Sequence, residues 1–176
     1  MTVPTLASNG NPPLIEESGV PRRGNHLRYQ HLISSGVSES LSAVMFHDSA
    51  PVRRRRMCGQ EIHPQANFHI AVHEIRSVPH SLDRRYCQPH SHNCSELNLI
   101  FSFERLVFRI TLGGEHYICK APSSIFIPAG VSHSANVVEG TGFFVVMLGC
   151  DDYRQSLTSV TEPNSIRDSS HVAASR

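Results

Sequence analysis

The stretch Gln88–Ile100, QPHSHNCSELNLI, sets two histidines and a glutamate within seven positions and then runs into apolar residues. Side chains alternate faces along a strand, so His90 and His92 point the same way. Glu96 shares their parity if the strand is unbroken, although Asn93, Cys94 and Ser95 can hold a bend. Two imidazoles and a carboxylate on one wall suit a first-row transition metal; the alternative is a polar loop. Downstream, residues 122–136 read PSSIFIPAGVSHSAN. Pro128 presets a turn and Gly130 permits a positive φ, so the chain reverses and presents His133 at the head of the next strand.

Outward from these two segments the pattern is of short strands. NFHIAVHEI alternates Phe68, Ile70 and Val72 against His69, Ala71 and His73. ELNLIFSF alternates Leu97, Leu99, Phe101 and Phe103 against Glu96, Asn98 and Ile100. RLVFRITLGGEHYICKA reads as a hairpin turning at Gly113-Gly114. SSIFIPAG gives a strand stopped by proline, and GFFVVML (142–148) a fully apolar, buried one. The spacing predicts an all-β sandwich or barrel over 66–149. Ahead of it, residues 1–25 read as a disordered arm and 26–65 as an extension. In that extension Val37, Leu41, Val44 and Met45 fall at helical spacing, and Arg53–Arg56 reads as a solvated linker. Residues 150–176 read as a flexible polar tail with at most one docked turn near Tyr153.

The segments HSHNCSE (90–96) and PAGVSH (128–133) resemble the two motifs of the cupin superfamily, H-x-H followed by E, and P-x-G-x-x-H. Where the family tends to have turn glycines, this chain has Arg84, Phe103 and Pro122, and Asn136 follows His133 by three residues rather than four. The resemblance implies a double-sheet jelly-roll barrel over 66–149. It implies His90, His92, Glu96 and His133 as ligands of one divalent metal: iron, zinc, manganese or nickel. It also implies a homodimer, to which residues 26–48 are expected to contribute.

Composition narrows the partners. Lysine plus arginine number 16 against 15 acidic residues, a formal net charge of +1, so neither nucleic acid nor an anionic membrane is expected. No apolar run approaches the ~18 residues of a membrane span. The opening MTVPTLASNGNPP lacks a basic and then apolar leader, and the five cysteines show no C-x-x-C spacing. Reduced thiols in a cytoplasmic protein are therefore expected. Cys94, inside the first motif, reads as a small polar filler, the alternatives being a ligand or a crosslink. Fifteen of the sixteen basic residues are arginine, a hint of GC-rich coding and of bacterial specialised metabolism.

A three-histidine, one-carboxylate site leaves positions open on a six-coordinate metal. The function classes are an oxygenase, a non-redox isomerase, lyase or condensing enzyme (N–N bond formation included), and a non-catalytic sensor cupin. The intact ligand set favours an enzyme acting on a small-molecule substrate. Asn98 continues the ligand face and is a substrate-binding candidate, unless that face is exposed. Arg109 interrupts an apolar strand; it either meets an anionic substrate or faces solvent. Tyr117 either lines the mouth or packs in the core. His69 and His73 share a face, as ligand supports or as structural histidines.

Overall fold

Alternating burial builds the framework. The computed structural model describes residues 28–158, so the expected arm (1–25) and the outer part of the expected tail lie outside the described residues. Residues 28–33 belong to a first compact unit, Met1–Ile33, and form one 3-10 turn at Gln30–Leu32. The second unit, Ser34–Arg176, holds every strand described below.

The strands are β1 (Val37–Glu39), β2 (Val52–Cys58), β3 (His69–Val78), β4 (Ser91–His92), β5 (Glu96–Phe101), β6 (Leu106–Leu112), β7 (Glu115–Lys120), β8 (Ser123–Ile127), β9 (His133–Leu148) and β10 (Leu157–Thr158). One antiparallel path runs β1-β2-β3-β9-β5-β8. Strand β9 crosses between layers. Its first half pairs with β6, which pairs with β7, while residues 142–148 lie between β3 and β5. The crossing sits at Gly140 and Gly142, both with positive φ; a Cβ on Gly140 would stand 1.9 Å from the Arg105 carbonyl oxygen. Phe108 of β6 stacks on Phe144 of β9 at 4.6 Å, so the two layers share one core. This is a jelly roll, as the sequence predicts.

Several boundaries differ from the sequence reading. The stretch around Val37–Val44 forms no helix: it is β1 followed by a 3-10 turn at Leu41–Ala43. The register Val37↔Arg56 to Glu39↔Arg54 explains this, because sheet pairing outweighs a weak local helical pattern. Arg53–Arg56 is no linker but the middle of β2, and alternation buries Arg54 while Arg53 and Arg55 face solvent. The barrel thus begins before residue 66. On β9, Phe144, Val146 and Leu148 are buried, whereas Phe143 is 44% exposed and Val145 and Met147 are half-buried. The run is apolar on both faces, but only one is covered.

Residues 150–158 also belong to the fold. Asp152 caps a single helical turn, α1 (Tyr153–Ser156), its carboxylate accepting from the Arg154 and Gln155 amides. Strand β10 then pairs with β4, Leu157 opposite His92 and Thr158 opposite Ser91.

Candidate metal centre

The backbone brings the two motifs together before any side chain is considered. The His90 amide donates to the His133 carbonyl at 3.0 Å, and the His133 amide donates back to His90 at 2.8 Å. The Gly130 amide donates to the His92 carbonyl at 2.7 Å, which requires the turn after Pro128; Gly130 supplies its φ of 81°. On β5, Glu96, Asn98 and Ile100 face inward and Leu97, Leu99 and Phe101 outward. The barrel interior therefore takes the more polar of the two faces.

Each histidine has one ring nitrogen committed. His90 Nδ1 donates to the Gln88 carbonyl at 2.8 Å, and His133 Nδ1 to the Val131 carbonyl at 3.0 Å. His92 Nδ1 lies 2.7 Å from Ser156 Oγ, and that hydroxyl gives its own proton to the Tyr153 carbonyl. The serine oxygen therefore accepts from His92. All three rings are left with Nε2 as the lone-pair atom, the tautomer a metal needs.

The ligand atoms of the three histidines lie within 4.8 Å of one another, and all three residues are buried. Glu96 Oε2 stands 3.4 Å from His92 Nε2 and 3.2 Å from His133 Nε2, yet neither Nε2 has a hydrogen-bond partner. The approach to His133 is close enough for strong attraction but lacks hydrogen-bond alignment. Donors about 2.1 Å from one ion stand roughly 3.0–3.4 Å apart around it, which is the spacing of Glu96 Oε2 from His92 and His133. Leaving such nitrogens buried without a partner is costly otherwise.

Electrostatics agree. Burial, with some contribution from neighbouring His133, drives His90 down to about 3. Burial likewise lowers His92 to about 4, although Glu96 opposes it. Burial alone would raise Glu96, but contact with His133 and His92 and a bond from Asn98 hold it below the usual carboxylate range. For His133, burial is outweighed by Glu96, and its pKa rises. His90 and His92 are thereby held as neutral imidazoles, and the Glu96 carboxylate faces His133.

A cavity of about 30 Å³ adjoins the histidines, lined among others by His90, Glu96, His133, His47, Arg54 and Tyr153. Phe46 stacks on His90 at 5.7 Å, and the His47 ring meets it edge-on at 5.5 Å. Tyr153 places its hydroxyl 3.3 Å from both His90 Nε2 and the Met45 carbonyl. A second pocket, about 210 Å³, shares Arg54 and Tyr153 with the first and also takes in Glu39, His69 and Asp152. The largest groove, about 910 Å³, lies along β1 and β2 and reaches none of the three histidines.

Of the substrate residues expected from sequence, only Asn98 shares the site's face. It is buried, and its Oδ1 has no partner. Arg109 is buried on the face of β6 opposite Phe108 and Ile110, and its guanidinium donates to the carbonyls of Leu82 and Arg84. Backbone oxygens, not an anion, meet its charge; it pins the 79–88 loop. Tyr117 is 44% exposed on β7, its hydroxyl turned to Glu115, away from the cavity. His69 and His73 do face inward. They meet Arg54: Nη1 is 2.9 Å from His73 Nε2 and Nη2 3.4 Å from His69 Nε2, while Nε donates to Glu39 at 3.0 Å.

Arg54, His47, Tyr153 and Ser156 carry no motif. For Tyr153 and Ser156 the one available signal was the Asp152 cap; for Arg54, the alternation of a strand hidden in four identical residues.

No protein-family model matches the chain, and no curated protein matches it. Solved structures do. The polyketide cyclase RemF from Streptomyces resistomycificus is 16% identical with a TM-score of 0.50, over 74% of this chain and 83% of that one. An RmlC-like cupin from Shewanella frigidimarina is 13% identical with a TM-score of 0.46, over 75% and 96%. A single-substitution variant of oxalate decarboxylase from Bacillus subtilis is 15% identical with a TM-score of 0.45, over 74% and 34%. With two motif segments joined in one jelly roll and three histidines placed to bind a metal, the chain has the cupin fold.

Proposed function

We propose that the protein is a metal-dependent cupin enzyme acting on a small, polar, anionic metabolite. The observation that carries this reading is the convergence of three buried Nε2 atoms, each fixed as a lone-pair donor by its own Nδ1 partner, beside the Glu96 carboxylate. His90, His92, Glu96 and His133 would hold the ion, and iron, zinc, manganese and nickel all accept this donor set. A bound ion there supplies Lewis acidity and, if redox-active, electron transfer.

The chain's own residues do the rest. Arg54 takes the part that sequence reasoning gave to Arg109. It is a buried guanidinium on the wall between the inner cavity and the 210 Å³ pocket, and Glu39 is the carboxylate paired with it. A substrate carboxylate in that pocket would take a charge-assisted bond from it. Asn98 adds to the hold that His133 and His92 have on the Glu96 carboxylate and keeps its amide oxygen for substrate. Tyr153, its hydroxyl pKa raised by burial, stays protonated and can donate at the cavity wall.

The homodimer is also a proposal. In support, the outer face of β3, β9, β5 and β8 aligns Val72, Val145 and Leu99 in one row and Ile70, Met147, Leu97 and Phe126 in the next, with Phe126 65% exposed. Sedimentation giving a monomer at micromolar concentration would count against it. No helix among the described residues is long and apolar enough to cross a membrane.

The test of function is elemental analysis after purification without added metal and again after reconstitution. One equivalent of a transition metal per chain is expected; well under one after reconstitution sinks the reading. Oxygen uptake on turnover with iron assigns an oxygenase. Anaerobic turnover with zinc assigns isomerase, lyase or condensing chemistry.

A further inference from the structure

The β5–β9 ladder pairs Leu97 with Met147 and Glu96 with Leu148. Its register runs on past the named strands, because the Gly149 amide donates to the Ser95 carbonyl at 2.9 Å. One step further places Cys94 directly opposite Cys150. The side chains obey that register: the two sulfurs are 2.7 Å apart, and both residues are half-buried against the core. Directly opposite residues in antiparallel strands have Cα atoms about 4.5–5.5 Å apart. That lies inside the window a disulfide requires. Both thiols are free, as are Cys58 on β2, Cys87 in the bridge to His47, and Cys119 on β7.

We propose that Cys94 and Cys150 are a reversible disulfide pair, closed by a small-molecule disulfide and reopened by thiols. In closure, one cysteine thiolate attacks the reagent's S–S bond and expels the first thiolate. The second cysteine thiolate attacks the mixed disulfide and expels the other. Two S–H bonds and one reagent S–S bond are lost. One protein S–S bond is formed, and the two protons end on the two released thiols.

The position of the pair gives the bond its meaning. Cys94 sits in the short loop between His92 and Glu96. Cys150 stands two residues ahead of Asp152, which caps the turn carrying Tyr153 and Ser156. Ser156 Oγ fixes His92, and the Asn93 amide donates to the Ser156 carbonyl at 2.7 Å. The disulfide therefore locks the ligand loop to the segment that orients one of its histidines. Bond formation stands on the register alone and does not depend on the proposed metal.

The experiment incubates the full chain, metal-free, with excess oxidised glutathione over hours, with a parallel sample kept under reductant. Free thiols are then alkylated, and intact mass and peptide maps are read. Expected is the loss of two hydrogens with one crosslinked peptide pair joining Cys94 to Cys150, reversed by dithiothreitol and absent in C150S. Persistent glutathione adducts at either cysteine, both thiols alkylated after oxidation, or crosslinks through Cys58, Cys87 or Cys119 would each overturn it. The wild-type masses decide the matter even if C150S fails to fold. Amide exchange over residues 91–96 should slow several-fold in the oxidised chain; unchanged exchange there overturns the locking of the ligand loop.

Discussion

Two groups of buried histidines sit in one barrel and have opposite surroundings. His92 and His133 turn their Nε2 atoms toward a carboxylate, Glu96, and neither nitrogen has a hydrogen-bond partner, while His90 Nε2 beside them meets the Tyr153 hydroxyl. His69 and His73 turn theirs toward a guanidinium, Arg54, which already fills the space a cation would take. In sequence the two pairs His90/His92 and His69/His73 look alike, each of one parity. Strand alternation decides that a histidine is inside. The sign of the charge opposite decides whether it can receive a metal.

The largest effect that sharpens this contrast is at the first group. His92→Ala should lower metal affinity more than about 100-fold, and Ser156→Ala, which only releases the ring, about 10–100-fold. Equilibrium competition against a chelator measures both. Equal metal retention in wild type and His92→Ala would erase the distinction between the groups. The fold should survive, because the core around Ile100, Phe108 and Phe144 is packed from apolar side chains that do not include the His92 ring.

At the second group the expectation is reversed. Arg54→Met should leave metal content intact and cost stability, because it strands the acceptor nitrogen of His73 in the core. The cost is roughly 1–3 kcal/mol, kept low because Glu39, its ionic partner, is partly exposed and can turn to water. Urea titration of the metal-free protein reads it. A loss of metal with unchanged stability would mean that Arg54 serves the centre instead.

These outcomes bear on what was readable in the chain. The ligand set was legible because its spacing is strict and its turn chemistry explicit in Pro128 and Gly130. Which face of β3 and β5 turns inward was not: alternation gives a period of two, and the apolar face of Ile70, Val72, Leu97 and Leu99 looks like the buried one. The interior instead takes His69, His73, Glu96 and Asn98, since those polar groups find one another there. The four arginines of β2 hid a buried position among exposed ones, and the residues after Cys150 were too polar to suggest that they pack on His92.

Acid should act on both histidine groups, and in the second group it can be read at His69. Burial and the charge of Arg54 lower His69 to about 4 and His73 well below its ordinary value of 6.5. The unfolded chain binds those protons near 6.5 and the folded chain resists them. Stability is therefore full above about 6.5 and is lost as pH falls toward the folded value for His69, about 4. Thermal midpoints of the metal-free protein should fall across that window. His69→Gln should flatten part of the slope; an unchanged slope would show that His69 does not resist protonation as described.

The smallest effects belong to Arg109 and Tyr117, two of the three residues that sequence reasoning placed at the substrate. Tyr117→Phe removes only an exposed hydroxyl and should change stability by less than about 0.5 kcal/mol. Arg109→Lys is the more informative. The guanidinium forks to two carbonyls, of Leu82 and Arg84, across the loop that Asn136 also holds by accepting from the Cys87 amide. A lysine has a single point of donation and cannot span both oxygens. The expected loss is about 1 kcal/mol, with metal content and the KM for the true substrate unchanged. Under the same substitution, Arg54→Lys should raise KM several-fold without releasing metal. If Arg109→Lys instead raises KM and Arg54→Lys does not, the anion site lies on the outer face of β6, and the pocket beside the histidines serves something else.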